Sequence, residues 1–155
     1  MKLTIAAIGT RQPAWAQAAI DDYLARLPAD FAVTIKELKP EPRQGQPVER
    51  IMAAEVERLR AAIPADAVTV ALDEHGQDWT TAKLAAQLQR WRDEALPVAF
   101  AIGGADGLDA QFKREARLLL RLSSLTLPHA LARVLLVEQL YRAWSMLANH
   151  PYHRA

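Results

Sequence analysis

Five short apolar runs alternate along this chain with stretches of helical spacing, and that alternation limits the possible folds more than any other feature. Residues 3–8, 31–38, 67–72, 98–102 and 118–122 read as strands. Between them, residues 13–27 repeat Trp15, Ala19, Tyr23 and Leu27 on one helical face. Residues 48–63 carry a stripe of Ile51, Met52, Val56, Leu59 and Ile63, and a helix capped by Thr80 or Thr81 runs through Glu94 with Leu84, Leu88 and Trp91 inward. A short helix over 109–116 precedes the last strand. Strands buried on both faces and separated by helices call for a mostly parallel sheet with helical layers on either side. The expected fold is α/β: one domain over residues 1–155, with a five- or six-stranded, mostly parallel sheet. In the second strand Phe31, Val33, Ile35 and Glu37 share a side, and Glu37 breaks the apolar set. Residues 39–46 hold two prolines and a glycine and read as a mobile loop.

Composition excludes several function classes. With no cysteine, there are no disulfides, thiolate metal sites or cysteine nucleophiles. No apolar run approaches the ~18 residues of a membrane span, and Thr10, Arg11 and Gln12 interrupt any signal-like N-terminal segment. The expectation is a cytoplasmic protein that meets no membrane. The net charge of +1 hides an asymmetry: residues 1–111 carry 12 basic and 16 acidic side chains, whereas residues 112–155 carry seven and two. A local basic surface attracts nucleic acid more than a global sum does.

Three loops follow strands and share one edge of the expected sheet, where parallel α/β sheets bind ligands. The first contains Leu72, Asp73, Glu74, His75 and Gly76, and Gly76 suggests an unusual backbone angle. The second contains Gly103, Gly104 and Gly107 without the order of a dinucleotide fingerprint. Its glycines suit either close approach to a flat ligand or a tight strand-to-helix turn. The third spans Ser123, Ser124, Leu125, Thr126, Leu127 and Pro128. Pro128 fits the first helical position, which makes Thr126 or Leu127 the expected cap. A helix over 131–147 then presents Val134, Leu135, Leu136, Val137, Leu140, Tyr141, Trp144, Met146 and Leu147 on more than one face. It should be buried nearly all round, in part by a second copy of the chain. Glu138 and Arg142 are spaced for an i,i+4 pair, with Arg142 equally able to face RNA. The chain closes on His150, Pro151, Tyr152, His153 and Arg154, a concentration of polar groups unusual for a terminus. His129, His150 and His153 lack the convergent spacing of a metal site, so no metal is expected.

These motifs carry a resemblance. Leu-Thr-Leu-Pro-His at 125–129, Arg-Val-Leu-Leu at 133–136, Glu-Gln-Leu-Tyr-Arg-Ala at 138–143 and Pro-Tyr-His-Arg at 151–154 are similar to the pseudouridine N3-methyltransferase H family of the ribosomal large subunit, of the SPOUT class. Leu-Asp-Glu-His-Gly at 72–76 and Ile-Gly-Gly-Ala-Asp-Gly at 102–107 extend the match over nearly the whole chain. Residues 39–48 and Arg121 depart from the family pattern.

The resemblance implies a C-terminal trefoil knot, a homodimer and S-adenosyl-L-methionine as methyl donor. It also implies methylation of N3 of a pseudouridine in large-subunit ribosomal RNA of the assembled ribosome. It places the cofactor on Leu72, Asp73, Gly103, Gly104, Ser123, Ser124, Leu125, Thr126, Leu127 and Pro128, and gives importance to the tail. Within that frame His153 is the expected base for the N3 proton and Arg154 a charge or phosphate partner. Tyr152 is a stacking platform and Arg142 an aid to either. Methylation of a different RNA base, a non-catalytic ribosome-associated factor and a flavodoxin-like nucleotide binder are the alternatives.

Overall fold

The computed structural model describes residues 1–154. Five strands, β1 (Lys2–Ile8), β2 (Ala32–Leu38), β3 (Val68–Asp78), β4 (Val98–Ile102) and β5 (Leu118–Arg121), alternate with five helices. The helices are α1 (Ala14–Arg26), α2 (Val48–Ala62), α3 (Thr81–Asp93), α4 (Ala110–Glu115) and α5 (His129–Leu147), and single 3₁₀ turns cover Ala29–Phe31 and Pro151–Arg154. The strands form one sheet in the order β2-β1-β4-β3-β5, every pair parallel.

The pleat sorts side chains by size. Leu3, Ile5, Val70, Val98, Phe100 and Leu120 face α1, α3 and α5. Ala6, Ala71 and Ala101 face α2 and α4, so those helices lie close and bury Val56, Leu59 and Phe112. Each large side chain buried this way contributes roughly 1.5–3 kcal/mol. Thr80 caps α3 by accepting the Lys83 N–H at 3.1 Å, and Asp109 caps α4 through Gln111 and Phe112.

Four details depart from the sequence reading. β3 runs six residues past Leu72. Its chain leaves the ladder after Leu72 and returns so that Gln77 and Asp78 pair with Leu120 and Arg121 of β5. Gly76 has no left-handed backbone; a Cβ there would lie 2.8 Å from the backbone of Leu119 and Leu120, so close approach demands the glycine. Neither Thr126 nor Leu127 caps α5: Pro128 occupies the cap position with extended angles, and His129 opens the helix. Finally, the loop expected to be mobile is tied down. Arg58 donates to the Lys39 carbonyl and to Glu41, the Glu41 N–H donates to Glu55, and Arg43 grips Asp106 through both carboxylate oxygens at 2.5 and 3.0 Å.

From β5 at one edge of the sheet, the chain crosses to place α5 over the far strands. His129 Nε2 lies 2.6 Å from the Gly103 carbonyl after β4. Arg133 donates to the Gly9 carbonyl after β1 and to Glu37 at the end of β2. The guanidinium is 1% exposed, so the charge that interrupted the apolar pattern of β2 serves a buried partner. α5 packs between α1 and α3, yet Leu131, Val134 and Leu135 stay half-exposed on its first turns. No helix among the described residues is long and apolar enough to cross a membrane.

Candidate active site

All strands are parallel, so their carboxyl ends gather on one edge, and the excursion of β3 between Leu72 and Gln77, with the loops leaving β4 and β5, encloses a cleft of about 650 Å³. Leu72, Asp73, Gly103, Gly104, Ser123, Leu125, Thr126 and Leu127 line it, eight of the ten residues expected to hold a cofactor. Ser124 and Pro128 are exposed and lie outside the lining. The remaining wall comes from neighbours in the same segments and from three helices: Met52 of α2, Lys113 of α4, and His129 and Ala132 of α5. Met52 reads in the sequence only as a member of the apolar stripe of its helix, and nothing in the sequence singles out Lys113 or Ala132. Nothing in their spacing distinguishes them from core and surface neighbours.

The first two glycines of the second loop are closely packed on their Cα faces. A Cβ on Gly103 would stand 2.7 Å from the Gly107 backbone, and one on Gly104 would stand 2.7 Å from Glu55 Oε1 and 3.1 Å from Ile8. Both missing side chains therefore point into protein: the tight turn requires Gly103, and the close approach of Glu55 and Ile8 requires Gly104. Gly107, at φ +80°, accepts the left-handed backbone that closes the turn, and its N–H reaches the Gly104 carbonyl at 3.0 Å. Glu55 is 5% exposed, and its Oε1 has no partner.

Charge around the cleft is balanced by pairs. Lys113 lies 3.3 Å from Asp73, and Arg121 pairs with Asp78. The hydrogen bonds from Arg43 hold the Asp106 carboxyl below its ordinary range. Arg121, the departure from the family pattern, thus fastens the returning end of β3. Asp73 also accepts the His75 N–H at 3.1 Å, which shapes the first loop. Among the described residues, no cluster of three or more His, Asp or Glu side chains is arranged for a metal.

The tail forms a second constellation. After α5 the 3₁₀ turn folds back, and the Tyr152 ring meets Tyr141 edge-on at 4.6 Å. The Tyr152 hydroxyl lies 3.0 Å from Glu138 and 3.1 Å from the Tyr23 hydroxyl. Arg142 makes the expected i,i+4 pair with Glu138 at 2.8 Å and also covers the Tyr152 ring at 4.9 Å. His153 is half-buried with Nδ1 unpartnered, and Arg154 is exposed. Burial, with hydrogen bonds to Tyr23 and Glu138, pushes the Tyr152 phenol far above its ordinary value. Arg142, Tyr152, His153 and Arg154 are thus neighbours, but none of them lines the cleft. Glu138, where Tyr152 lands, is nine residues past His129, on the order of 14 Å along the helix axis.

A parallel sheet whose carboxyl-end loops frame a ligand cleft is one half of a recognisable pattern. A family model described as "Predicted SPOUT methyltransferase", which matches residues 1–153, supplies the other, and the chain belongs to that family. Among curated relatives, it is 59% identical over the full length of both chains to the Ribosomal RNA large subunit methyltransferase H of Bordetella avium (strain 197N). It is 56% identical, again over both full lengths, to the protein of that name from Bordetella pertussis (strain Tohama I). A solved structure of a probable methylase family protein from Haemophilus influenzae Rd KW20 shares the fold at TM-score 0.60 and 12% identity, covering 97% of this chain and 69% of that one.

Proposed function

We propose that this protein transfers a methyl group from S-adenosyl-L-methionine to N3 of a pseudouridine in large-subunit ribosomal RNA, acting on the assembled ribosome. The observation that carries the reading is the end-to-end identity with relatives named for large-subunit ribosomal RNA methylation, together with a cleft at the sheet edge where such a donor would bind. The residues present fit the donor. The cleft volume suits a ligand of that size. Its wall offers Asp73, Ser123 and Thr126 beside apolar Leu72, Leu125 and Leu127. When bound there, the donor supplies an electrophilic methyl on a positively charged sulfur.

The chain's own residues supply the rest. N3 of a uracil-like ring carries a proton and becomes nucleophilic only when that proton leaves. His153, whose imidazole can accept a proton, takes it from N3. Arg154 offsets the charge left on the ring or holds a neighbouring phosphate. Tyr152 and Arg142, already engaged by Glu138, Tyr23 and Tyr141, fix the tail in place. Positioning of this kind supplies much of the rate.

The separation of cleft and tail supports a homodimer in which the tail of one copy completes the cleft of another. Half-exposed Leu131, Val134 and Leu135, with Leu125 at 75% exposure, are the apolar surface such a partner would cover. The crossing from β5 to α5 is the path we assign to the trefoil knot. A cytoplasmic location belongs to the same reading.

Ribosomes from cells lacking the protein test it. With labelled S-adenosylmethionine, one methyl group per large subunit should appear at N3 of a pseudouridine. Methyl transfer to another base would correct the acceptor. Stable ribosome binding with no transfer would refute the enzyme reading.

A further inference from the structure

Tyr23 read in the sequence as one member of an apolar stripe, and its ring does pack in the core beside Tyr141 at 5.7 Å and Tyr152 at 6.2 Å. Its hydroxyl does more. The Tyr152 hydroxyl has one hydrogen and two oxygens within reach, Tyr23 at 3.1 Å and Glu138 at 3.0 Å. The carboxylate is the stronger acceptor because it is charged. Tyr152 therefore donates to Glu138, and Tyr23 donates its own hydrogen to the Tyr152 oxygen. Arg142 closes the chain of bonds by donating Nε to the same Glu138 oxygen at 2.9 Å. The result is a directed relay from α1 through the tail to the centre of α5. Glu138 also accepts from Gln139, to which Thr81 of α3 donates, but among the described residues Tyr23 is the one outside α5 that hydrogen-bonds the tail directly, so it ties the last residues to another part of the fold.

We infer that Tyr23 is a positioning residue for methyl transfer: its hydroxyl locks Tyr152 and thereby sets where His153 is presented. The inference rests on the proposed role of the tail. Its physical logic is that a short 3₁₀ turn at a chain end has little packing of its own and frays unless fastened. Fixing one residue before His153 removes most of that freedom. The hydroxyl of Tyr23 contributes nothing to the cleft, none of whose lining residues comes from α1.

Tyr23→Phe keeps the ring and removes the bond, so the fold and donor affinity should stay unchanged. Turnover on ribosomes should fall about fivefold, the scale of one neutral hydrogen bond, with KM for ribosomes unchanged. Amide hydrogen exchange over 151–154 should quicken while exchange in α5 does not. The Tyr23→Phe/Tyr152→Phe double variant should be no slower than Tyr152→Phe alone, because both changes cut one chain of bonds. Wild-type turnover in Tyr23→Phe, unchanged exchange in the tail, or losses that multiply in the double variant would each overturn the inference. If the wild type itself transfers no methyl group, the proposed function fails, and the exchange comparison alone decides whether Tyr23 fastens the tail.

Discussion

Replacing Glu37 with alanine should show how much of the fold beside the cleft depends on one buried ion pair. Arg133 Nη1 donates to Glu37 Oε2 at 2.5 Å, Nη2 donates to the Gly9 carbonyl at 3.2 Å, and Nε has no partner. The Arg133 side chain is 1% exposed and the Glu37 side chain 34%. Removing one member of a buried pair costs about 3–5 kcal/mol because the other charge is left uncompensated. The partial exposure of Glu37 would let water reach the stranded guanidinium, so about 2–3 kcal/mol is expected. With a urea m-value near ~2 kcal/mol/M, the midpoint should fall by roughly 1–1.5 M. Glu37→Gln, which keeps an acceptor but no charge, should lose about half as much. In Glu37→Ala/Arg133→Met the charge is gone, and the loss should be at least about 2 kcal/mol smaller than the sum of the two single losses. All variants should be compared at one protomer concentration, since association stabilises by mass action. A Glu37→Ala protein within about 0.5 kcal/mol of wild type, or losses that simply add, would refute the claim that this pair holds α5 to the ends of β1 and β2.

Three further outcomes are expected. A chain ending at His150 should fold and bind S-adenosylmethionine in calorimetry with about the wild-type affinity, because none of the described residues 151–154 lines the cleft. It should lose stability on the order of 1 kcal/mol through the missing Tyr152 contacts and most methyl transfer to ribosomes; full-rate transfer would place the acceptor chemistry elsewhere. The wild type should sediment as a dimer at micromolar concentration and Leu135→Asp as a monomer; a wild type that stays monomeric at all accessible concentrations would rule the proposed dimer out. The Tyr152 phenol, raised from an ordinary 10.0 by burial and by its bonds to Tyr23 and Glu138, should keep its proton in the folded protein at a pH where the unfolded chain has lost it. The folded state then binds more protons, so stability should fall as pH rises above about 10. Tyr152→Phe should lack that part of the decline, and identical alkaline profiles would refute the buried, paired state of the phenol.

Local signals carried much of this fold. The apolar run at Val98–Ile102 became β4 with the expected bounds, and all five of its residues are buried. Thr80 and Asp109 cap as their side chains allow. The loops after β3, β4 and β5 could be placed on one edge because parallel strands leave no alternative once alternation is recognised. Eight of the expected cofactor residues accordingly meet in one cleft. Ser124 and Pro128 fall outside it because a loop's sequence does not say which of its side chains turn inward.

Features that depend on partners distant in the chain could not be read this way. The return of Gln77 and Asp78 to β5 has no apolar periodicity, since backbone pairing and the Asp78–Arg121 contact hold it. Glu37 looked like a flaw in β2 until Arg133, 96 residues away, was seen to fill the space beside it. Tyr23 looked like core, and its hydroxyl acquired a purpose only when the tail folded back across 129 residues. The sequence determined which segments are strands and helices and which loops share an edge, because periodicity and turn chemistry act over a few residues. Strand order, the fastening of the tail and its distance from the cleft were decided by the tertiary structure, because burial and charge pairing depend on what arrives from elsewhere in the chain.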